Sequence, residues 1–272
     1  MKIAVILSVY CQDRKDYFQL AAESILFQTL KDARLFVGVD GPVYDELANY
    51  LNELAQQQNV TVKWFPENRG LASVLNDLLD ICFSEGYEYI ARMDADDIAM
   101  PDRLEKQKRF LDEHPDIDVV GGAISEIDEQ GNSRNKTIVY PDTPEACRKF
   151  FAHRNPHAHP AVMFRRSFFE KTGCKYRPEE RNNDDTMLWF DGMMRDTRHA
   201  NIPDVVLKFR MTDSFFRNRR NGWDLAKRQL IGRMIINRGL GYGLGAYLYG
   251  FAMFCLLMSP AWLKKIAYKL LR

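Results

Sequence analysis

Three aspartates, Asp94, Asp96 and Asp97, follow the apolar segment YIARM within four positions. Such carboxylates repel one another, so the cluster is a solvated turn, a calcium loop, or a site for Mg²⁺ or Mn²⁺ beside a phosphate. An EF-hand is disfavoured, because Ala99 stands where its loop needs glycine and Pro101 opens a helix inside it. A solvated turn is disfavoured by the buried-strand character of YIARM. We favour the Mg²⁺ or Mn²⁺ site, whose ion keeps coordination positions for phosphate oxygens.

A second pair of carboxylates, Asp184 and Asp185, stands at the start of an apolar helix predicted over residues 185–195. An acid at a helix N-terminus can cap the helix, and one of the two is expected to do so. The other can act as a general base if it reaches the same cleft as the aspartate cluster. A divalent ion on a diphosphate would make that diphosphate a good leaving group, and the base would activate whatever attacks.

Several basic and histidine side chains are further candidates for binding. Arg69 and Gly70 begin a predicted helix, where an anion can bind, although Asn-x-Gly is also ordinary turn sequence. His159 belongs to a histidine-rich loop and is expected to contact backbone or substrate rather than metal. Arg219 and Arg220 can bind a diphosphate, contact lipid headgroups, or simply lie in solvent.

These residues must be positioned by an alternating series of strands and helices in the first hundred residues. Apolar runs predict strands at 3–10, 33–40, 60–65 and 87–94, and helical spacing predicts helices at 17–28, 44–57 and 70–83. Strands apolar on both faces, with helices between them, indicate a mainly parallel sheet covered on both sides. Ligands bind beyond the carboxyl ends of such strands, where Tyr10, Asp40 and Asp94 fall.

The second half alternates less regularly. A helix is predicted over 101–113, a strand over 117–128 with a Gly-Gly irregularity, a hairpin turn over 128–132, and a helix over 143–152. A short strand over 161–166 and a helix from residue 167 precede the helix at 185–195. We interpret residues 1–221 as one α/β domain and residues 222–272 as a C-terminal helical segment.

Composition excludes several classes of protein. The 272 residues carry a formal charge of +1, which provides no overall attraction to nucleic acid. Five scattered cysteines without CxxC spacing indicate reduced thiols in the cytoplasm rather than disulfides or a zinc site. Charge is uneven, however, because eleven lysines and arginines stand from Arg217 onward against the single acid Asp224. An anionic partner is therefore expected near the C-terminus.

Residues 239–263 carry no formal charge and are flanked by Arg238, Lys264 and Lys265. The segment is long enough to cross a hydrocarbon core of about 30 Å, but glycines and tyrosines dilute it and both flanks are basic. We therefore favour a segment that lies on or enters an anionic membrane surface without crossing it. The alternative is a glycine-rich helix packed on the body of the protein.

Taken in order, a set of segments resembles the family 2 glycosyltransferases of the GT-A fold, especially those of bacterial O-antigen and exopolysaccharide assembly. The likeness covers residues 3–220 and rests on IAVILSVY (3–10), ESILFQT (23–29), VGVDGP (37–42), ENRGLASVLN (67–76), ARMDADDIAMPDRLEKQ (91–107), HPAVMFRRS (159–167) and the Asp184-Asp185 pair. It implies a Rossmann-like mixed, mainly parallel sheet flanked by helices. Residues 1–100 would be its nucleotide-binding half and residues 101–221 its acceptor-binding half.

The resemblance also implies an activity and roles for residues. The activity would be inverting transfer of a sugar from a nucleotide donor, usually a UDP-sugar, to an acceptor hydroxyl. The basic, apolar tail suggests a lipid-linked oligosaccharide acceptor at the cytoplasmic face of the membrane. By this resemblance, Ser8, Tyr10 and Asp40 would contact the nucleotide base, with Arg69 and Gly70 nearby. Asp94 would contact the ribose, Asp96 would bind Mn²⁺ or Mg²⁺, and Asp185 would be the general base.

Three positions depart from the family pattern. Ser8 replaces the usual proline of the first strand, and Asp184 replaces the usual glutamate before the base. Thr212 or Asp213 stands where the family often has a histidine after the last strand, which leaves the metal without an obvious third protein ligand. Two other functions remain open: a phosphohydrolase with an aspartate nucleophile, disfavoured by Ile98 at the fifth motif position, and a non-catalytic scaffold that binds sugar nucleotides.

Overall fold

The computed structural model describes residues 2–180, 183–212 and 223–259. Their elements are β1 Ile3–Val9, α1 Lys15–Leu26, β2 Ala33–Asp40, α2 Asp45–Leu54, β3 Val60–Phe65, α3 Leu71–Ser84, β4 Tyr89–Met93, β5 Ile98–Ala99, α4 Arg103–Glu113, β6 Val119–Ile127, β7 Ser133–Ile138, α5 Pro144–Phe151, a 3-10 helix His159–Ala161, β8 Met163–Arg165, α6 Arg166–Thr172, α7 Asp184–Met194, β9 His199–Arg210, α8 Trp223–Gly239 and α9 Leu244–Met258. The strands and helices predicted for the first hundred residues are confirmed, with ends shifted by a few residues.

The first four long strands form the parallel part of the sheet, in the order β3-β2-β1-β4. Strand β1 is buried on both faces, because its side chains point alternately into two cores. Ile3, Val5 and Leu7 enter the core shared with α1, α2 and α4, and Ala4 and Ile6 enter the core shared with α3 and α7. Burial on both faces explains why β1 is an almost uninterrupted apolar run.

Pairing between the parallel strands brings their carboxyl ends to one edge of the sheet. Val9 of β1 lies opposite Val39 of β2, and Leu7 of β1 lies opposite Met93 of β4. The residues that follow these positions, at the ends of β1, β2 and β4, are therefore neighbours in space. This edge carries Tyr10, Asp40 and the aspartate cluster that begins at Asp94.

In the described part of the chain, the second half completes a mixed sheet of nine strands, in the order β3-β2-β1-β4-β8-β6-β9-β5 with β7 paired to β6. Strand β8 runs antiparallel to both β4 and β6, whereas β9 is parallel to β6. The two-residue strand β5 pairs with the end of β9, Ala99 lying opposite Leu207. This pairing ties the chain after the aspartate cluster to β9. The α/β sheet with flanking helices agrees with the fold class expected from the sequence.

The segment predicted as a strand over 161–166 differs in the structure. Its first part is the 3-10 helix His159–Ala161, and the strand itself is limited to Met163–Arg165. Pro160 has no backbone N–H to give to a neighbouring strand, which suits the first turn of a helix better than a sheet. The turn leaves His159 and Ala161 buried against β4.

The C-terminal segment forms a helical hairpin of α8 and α9. Ile236 of α8 is fully buried in the core around α7, and a side chain at Gly239 would contact Phe190 at 2.7 Å. Large apolar side chains on both helices remain exposed: Trp223, Ile231, Met234, Ile235, Leu244, Leu248, Phe251 and Met258. Within residues 2–180, 183–212 and 223–259, no helix combines the length and apolarity that crossing a membrane requires.

Candidate active site

Asp40, the last residue of β2, is hydrogen-bonded to the backbone just before α3 at the carboxyl edge of the sheet. Its side chain is 4% exposed, Oδ1 accepts from the Arg69 N–H at 2.7 Å, and Oδ2 accepts from the Gly70 N–H at 2.9 Å. Gly70 has φ of +86°, a conformation that L side chains rarely adopt. The Arg69 guanidinium pairs with Asp77 and lies 4.5 Å from the ring centroid of Phe65. The N–H groups considered as an anion site thus already bind a carboxylate of this chain.

Tyr10 and Ser8 lie at the same edge. Tyr10 is partly exposed, its backbone N–H donates to Asp13 Oδ2 at 2.9 Å, and its hydroxyl donates to Gln12 at 3.2 Å. Ser8 is half-buried opposite Gly38 of β2. Tyr10, Ser8 and Asp40 therefore border a common surface, as the strand pairing predicts.

The three aspartates after β4 can share a cation. Asp94, Asp96 and Asp97 each offer a carboxylate oxygen, and these atoms lie within 4.8 Å of one another. Asp97 is 1% exposed and therefore does not lie in solvent. Its Oδ2 is buried and has no hydrogen-bond partner among the described residues. Burial raises the pKa of Asp97 well above its ordinary value, and the charges of Asp96 and Asp94 add to this. An orphaned buried oxygen within a set of hard ligands fits Mg²⁺ or Mn²⁺.

Arg210, the last residue of β9, fixes the loop that carries these aspartates. Its backbone N–H donates to Asp97 Oδ1 at 2.9 Å, and its Nε donates to the carbonyl of Asp96 at 2.8 Å. Its Nη1 donates to the carbonyls of Asp128 and Glu129 at 3.1 and 3.0 Å, and the guanidinium lies 4.2 Å from the Tyr17 ring centroid. Sequence reasoning missed this residue, since more than a hundred positions separate it from the cluster.

The paired acids at the start of α7 are held differently. Asp185 Oδ1 accepts from the Thr186 N–H at 2.6 Å, and Oδ2 accepts from Asn155 Nδ2 at 3.0 Å. Asp184 Oδ2 is buried and has no hydrogen-bond partner in the described part of the chain. Burial, and then the charge of Asp185, raises the pKa of Asp184 to about 6. Burial also raises the pKa of Asp185, while the hydrogen bonds from Thr186 and Asn155 oppose the increase.

Arg92 connects the two groups of acids and was also missed by sequence reasoning. It lies in β4 with 2% exposure, and its Nη2 is 2.5 Å from Asp94 Oδ1. Its positive charge opposes the rise in the pKa of both Asp184 and Asp185. The sequence does contain a signal, because an arginine inside the buried strand YIARM needs an acidic partner.

His159 lies beside Arg92 rather than in the aspartate cluster. Its Nε2 is 2.8 Å from the hydroxyl of Tyr176, and both side chains are buried. Burial and the charge of Arg92 hold the pKa of His159 well below its ordinary value, so the ring is neutral. Arg219, Arg220 and Asp213 lie outside the described residues.

The sequence also matches those of known proteins. The family model described as glycosyl transferase family 2 matches residues 4–173. The amylovoran biosynthesis glycosyltransferase AmsE of Erwinia amylovora is 31% identical over 227 residues, which cover 84% of this chain and 82% of AmsE. The UDP-Gal:alpha-D-GlcNAc-diphosphoundecaprenol beta-1,3-galactosyltransferase of Escherichia coli is 24% identical over 212 residues, covering 78% of this chain and 74% of that enzyme.

Solved structures show the same fold. The crystal structure of Staphylococcus aureus TarS 1-349 in complex with UDP-GlcNAc superposes with a TM-score of 0.64. The match covers 95% of this chain and 82% of that one at 14% identity, so it supports the architecture alone. The family model covers well over half of the chain and AmsE aligns with most of it, so the expected family is confirmed. This protein belongs to glycosyl transferase family 2.

Proposed function

We propose that this glycosyltransferase moves a sugar, with inversion, from a UDP-sugar to a hydroxyl of a lipid-linked oligosaccharide in bacterial surface polysaccharide assembly, of the O-antigen or exopolysaccharide kind. The observation that carries the proposal is the presence of two separate groups of acids around Arg92. Asp94, Asp96 and Asp97 could together bind a metal ion that carries a diphosphate, and Asp184 and Asp185 could supply a general base.

The donor would lie along the edge formed by the ends of β1, β2 and β4. Ser8, Tyr10 and Asp40 would surround the nucleotide base with Arg69 and Gly70 nearby, and Asp94 would contact the ribose. Asp96, with Asp97 beside it, would hold Mn²⁺ or Mg²⁺, which when bound offsets the negative charge of the diphosphate. Support for a UDP-sugar comes from the UDP-GlcNAc complex of TarS and from the name of the E. coli relative.

Asp185 would act as the general base. As the acceptor oxygen attacks the anomeric carbon, its proton passes to the Asp185 carboxylate, the new C–O bond forms, and the bond to the diphosphate breaks on the opposite face. Attack opposite the leaving group inverts the anomeric configuration. Asn155 and Thr186 support this role because they hold both carboxylate oxygens in one orientation while leaving lone pairs for a proton.

The C-terminal hairpin would bring the enzyme to its acceptor. We propose that residues 222–272 form a membrane-associating unit on the catalytic domain of residues 1–221, at the inner face of the cell membrane. The exposed apolar side chains of α8 and α9 and the basic residues of the tail support this. Arg219 and Arg220 would bind either the diphosphate or lipid headgroups. A diphosphoundecaprenol in the name of the E. coli relative supports a lipid-linked acceptor.

The decisive experiment measures nucleoside diphosphate release from a panel of sugar nucleotides with Mn²⁺ or Mg²⁺ and prenyl-diphosphate-linked sugars as acceptor mimics. Asp185→Asn is expected to lower the transfer rate at least about 100-fold, because no carboxylate remains to take the proton from the attacking hydroxyl. Glu53→Gln, an exposed change on α2, is the control and should match the wild type.

Nucleotide binding should survive in Asp185→Asn, which separates an enzyme lacking its base from a misfolded one. Release of no nucleoside diphosphate from any donor, with acceptor mimics present, would refute the enzymatic function and favour a sugar-nucleotide-binding scaffold. Full activity in Asp185→Asn, with activity lost in Asp184→Asn, would move the base to Asp184.

A further inference from the structure

Arg92 has hydrogen-bonding capacity that the fold does not use. The side chain is 2% exposed, and Nη2 lies 2.5 Å from Asp94 Oδ1. Its Nε and Nη1 are buried and have no hydrogen-bond partner within the described parts of the chain. Burying a charged donor without an acceptor is unfavourable, and native proteins retain such groups where a function, an ion, a water molecule or a ligand accounts for them.

Arg103, the first residue of α4, provides an internal comparison. It is equally buried, but its Nη2 donates to the carbonyls of Arg92 and Val162 at 2.8 and 3.2 Å, and its Nε donates to Gln107 at 3.1 Å. Among the described residues, only its Nη1 lacks a partner. Arg103 therefore joins β4, α4 and the turn before β8, whereas Arg92 contacts one carboxylate and keeps two nitrogens unused.

Arg92 lies near both groups of acids. It contacts Asp94 after β4 directly, and its charge acts on Asp184 and Asp185 at the start of α7, as well as on Tyr176 and His159. It is therefore close to both the donor-binding edge and the proposed base. In a displacement, the transferred sugar must lie between that edge and the base, because the attacking and leaving oxygens stand on opposite sides of the anomeric carbon.

We propose that Arg92 binds the transferred sugar, with its unpartnered N–H groups donating hydrogen bonds to oxygen atoms of the pyranose while Nη2 stays on Asp94. The inference rests on the proposed function and adds to it a residue that recognises the sugar rather than the nucleotide. The guanidinium has only donors, which suits hydroxyl and ring oxygens as acceptors. Its link to Asp94 fixes the guanidinium before the sugar arrives, so little freedom is lost on binding.

The test compares sugar nucleotides with UDP by calorimetric titration in the presence of Mg²⁺ and without acceptor, using UDP-GlcNAc, UDP-glucose and UDP-galactose as probes. For whichever sugar nucleotide the wild type binds most tightly, Arg92→Gln should weaken affinity at least about tenfold. Affinity for UDP should change less than about threefold, because UDP lacks the sugar. Arg177→Gln is the matched control, since Arg177 pairs with Asp191 outside the site, and neither affinity should change.

Arg92→Lys keeps a positive charge beside Asp94 but lacks the guanidinium donors, and it decides the question if Arg92→Gln fails to fold by circular dichroism. It should bind UDP like the wild type and still lose affinity for the sugar nucleotide. An equal loss of affinity for UDP and sugar nucleotide would overturn the proposal and assign Arg92 to the nucleotide through Asp94. Unchanged affinity for both would make Arg92 only a counter-ion. A wild type that binds none of these donors would refute the proposed UDP-sugar donor as well.

Discussion

The two acids that open α7 differ in what surrounds them, and the difference supports Asp185 rather than Asp184 as the proposed base. Asp185 has both carboxylate oxygens held by Thr186 and Asn155, whereas Asp184 has a buried oxygen without a partner in the described residues. A base needs a fixed orientation, which Asp185 has. Asp184 instead has a carboxylate whose charge is disfavoured by burial, and ionisable groups with such shifted pKa values are common at functional sites. Neither the orphaned oxygen nor the unused nitrogens of Arg92 could be inferred from sequence, because they depend on which neighbours are absent.

Asp184 should make the stability of the protein depend on pH. Its pKa is about 6 when folded against 3.8 ordinarily, so its contribution to stability is fully present below about pH 4 and is lost as the pH rises through 6. The loss amounts to roughly 2 to 3 kcal/mol. Asp184→Asn should therefore lose less stability than the wild type between about pH 4 and about pH 7.5. Urea unfolding in EDTA measures this, and identical pH dependence in both proteins would contradict the assignment.

At the scale of elements, the strands buried on both faces could be predicted, and the strands defined by their partners could not. β1 and β2 are mainly apolar runs of seven and eight residues, and their predicted positions agree with the structure. β5 has only two residues and exists because β9 pairs with it, information that no local pattern contains. The same reason hid Arg210, which reaches the aspartate loop only through this pairing. The Gly-Gly irregularity predicted in β6 is confirmed as a register shift against β9.

Gly121 in β6 allows a buried polar network to approach the backbone closely. A Cβ at this position would lie 2.1 Å from Asn201 Oδ1 and 2.8 Å from His157 Nδ1. Asn201 also donates to the carbonyl of Pro156, which adjoins the Asn155 that orients Asp185. Gly121→Ala should therefore destabilise the fold by about 3 kcal/mol and lower activity. Thermal and urea unfolding test this.

Gly245→Ala in α9 is the control for that substitution, since nothing lies within 4 Å of its added Cβ. Alanine favours the helix over glycine, so the control should be neutral or slightly stabilising. Equal stability of the two variants would show that the network around Asn201 tolerates a side chain at Gly121.

At the scale of the whole molecule, charge and apolar exposure are concentrated at one end of the chain. The body resembles an ordinary globular domain, and the overall charge of +1 hides the basic excess of the C-terminal segment. The exposed side chains of α8 and α9 belong to that segment, and α8 also packs on α7, which carries Asp184 and Asp185. A membrane bound by the hairpin would therefore lie near the proposed base, where the proposed lipid-linked acceptor would arrive.

Binding of the full chain to lipid vesicles tests this organisation. Leu244, Leu248 and Phe251 are exposed at spacings of four and three residues, so they share one face of α9. Replacing all three by serine should weaken binding to vesicles containing anionic lipid at least about tenfold, because each removes apolar area that would enter the interface. Phe27→Ser is the control, since Phe27 is also exposed but lies just after α1.

Raising KCl from about 0.1 M to about 0.5 M should weaken the binding of the wild type as well, because salt screens the attraction between the basic tail and anionic lipid. Sedimentation with vesicles measures both effects, and equal binding by the triple variant and the wild type would contradict a membrane role for the hairpin.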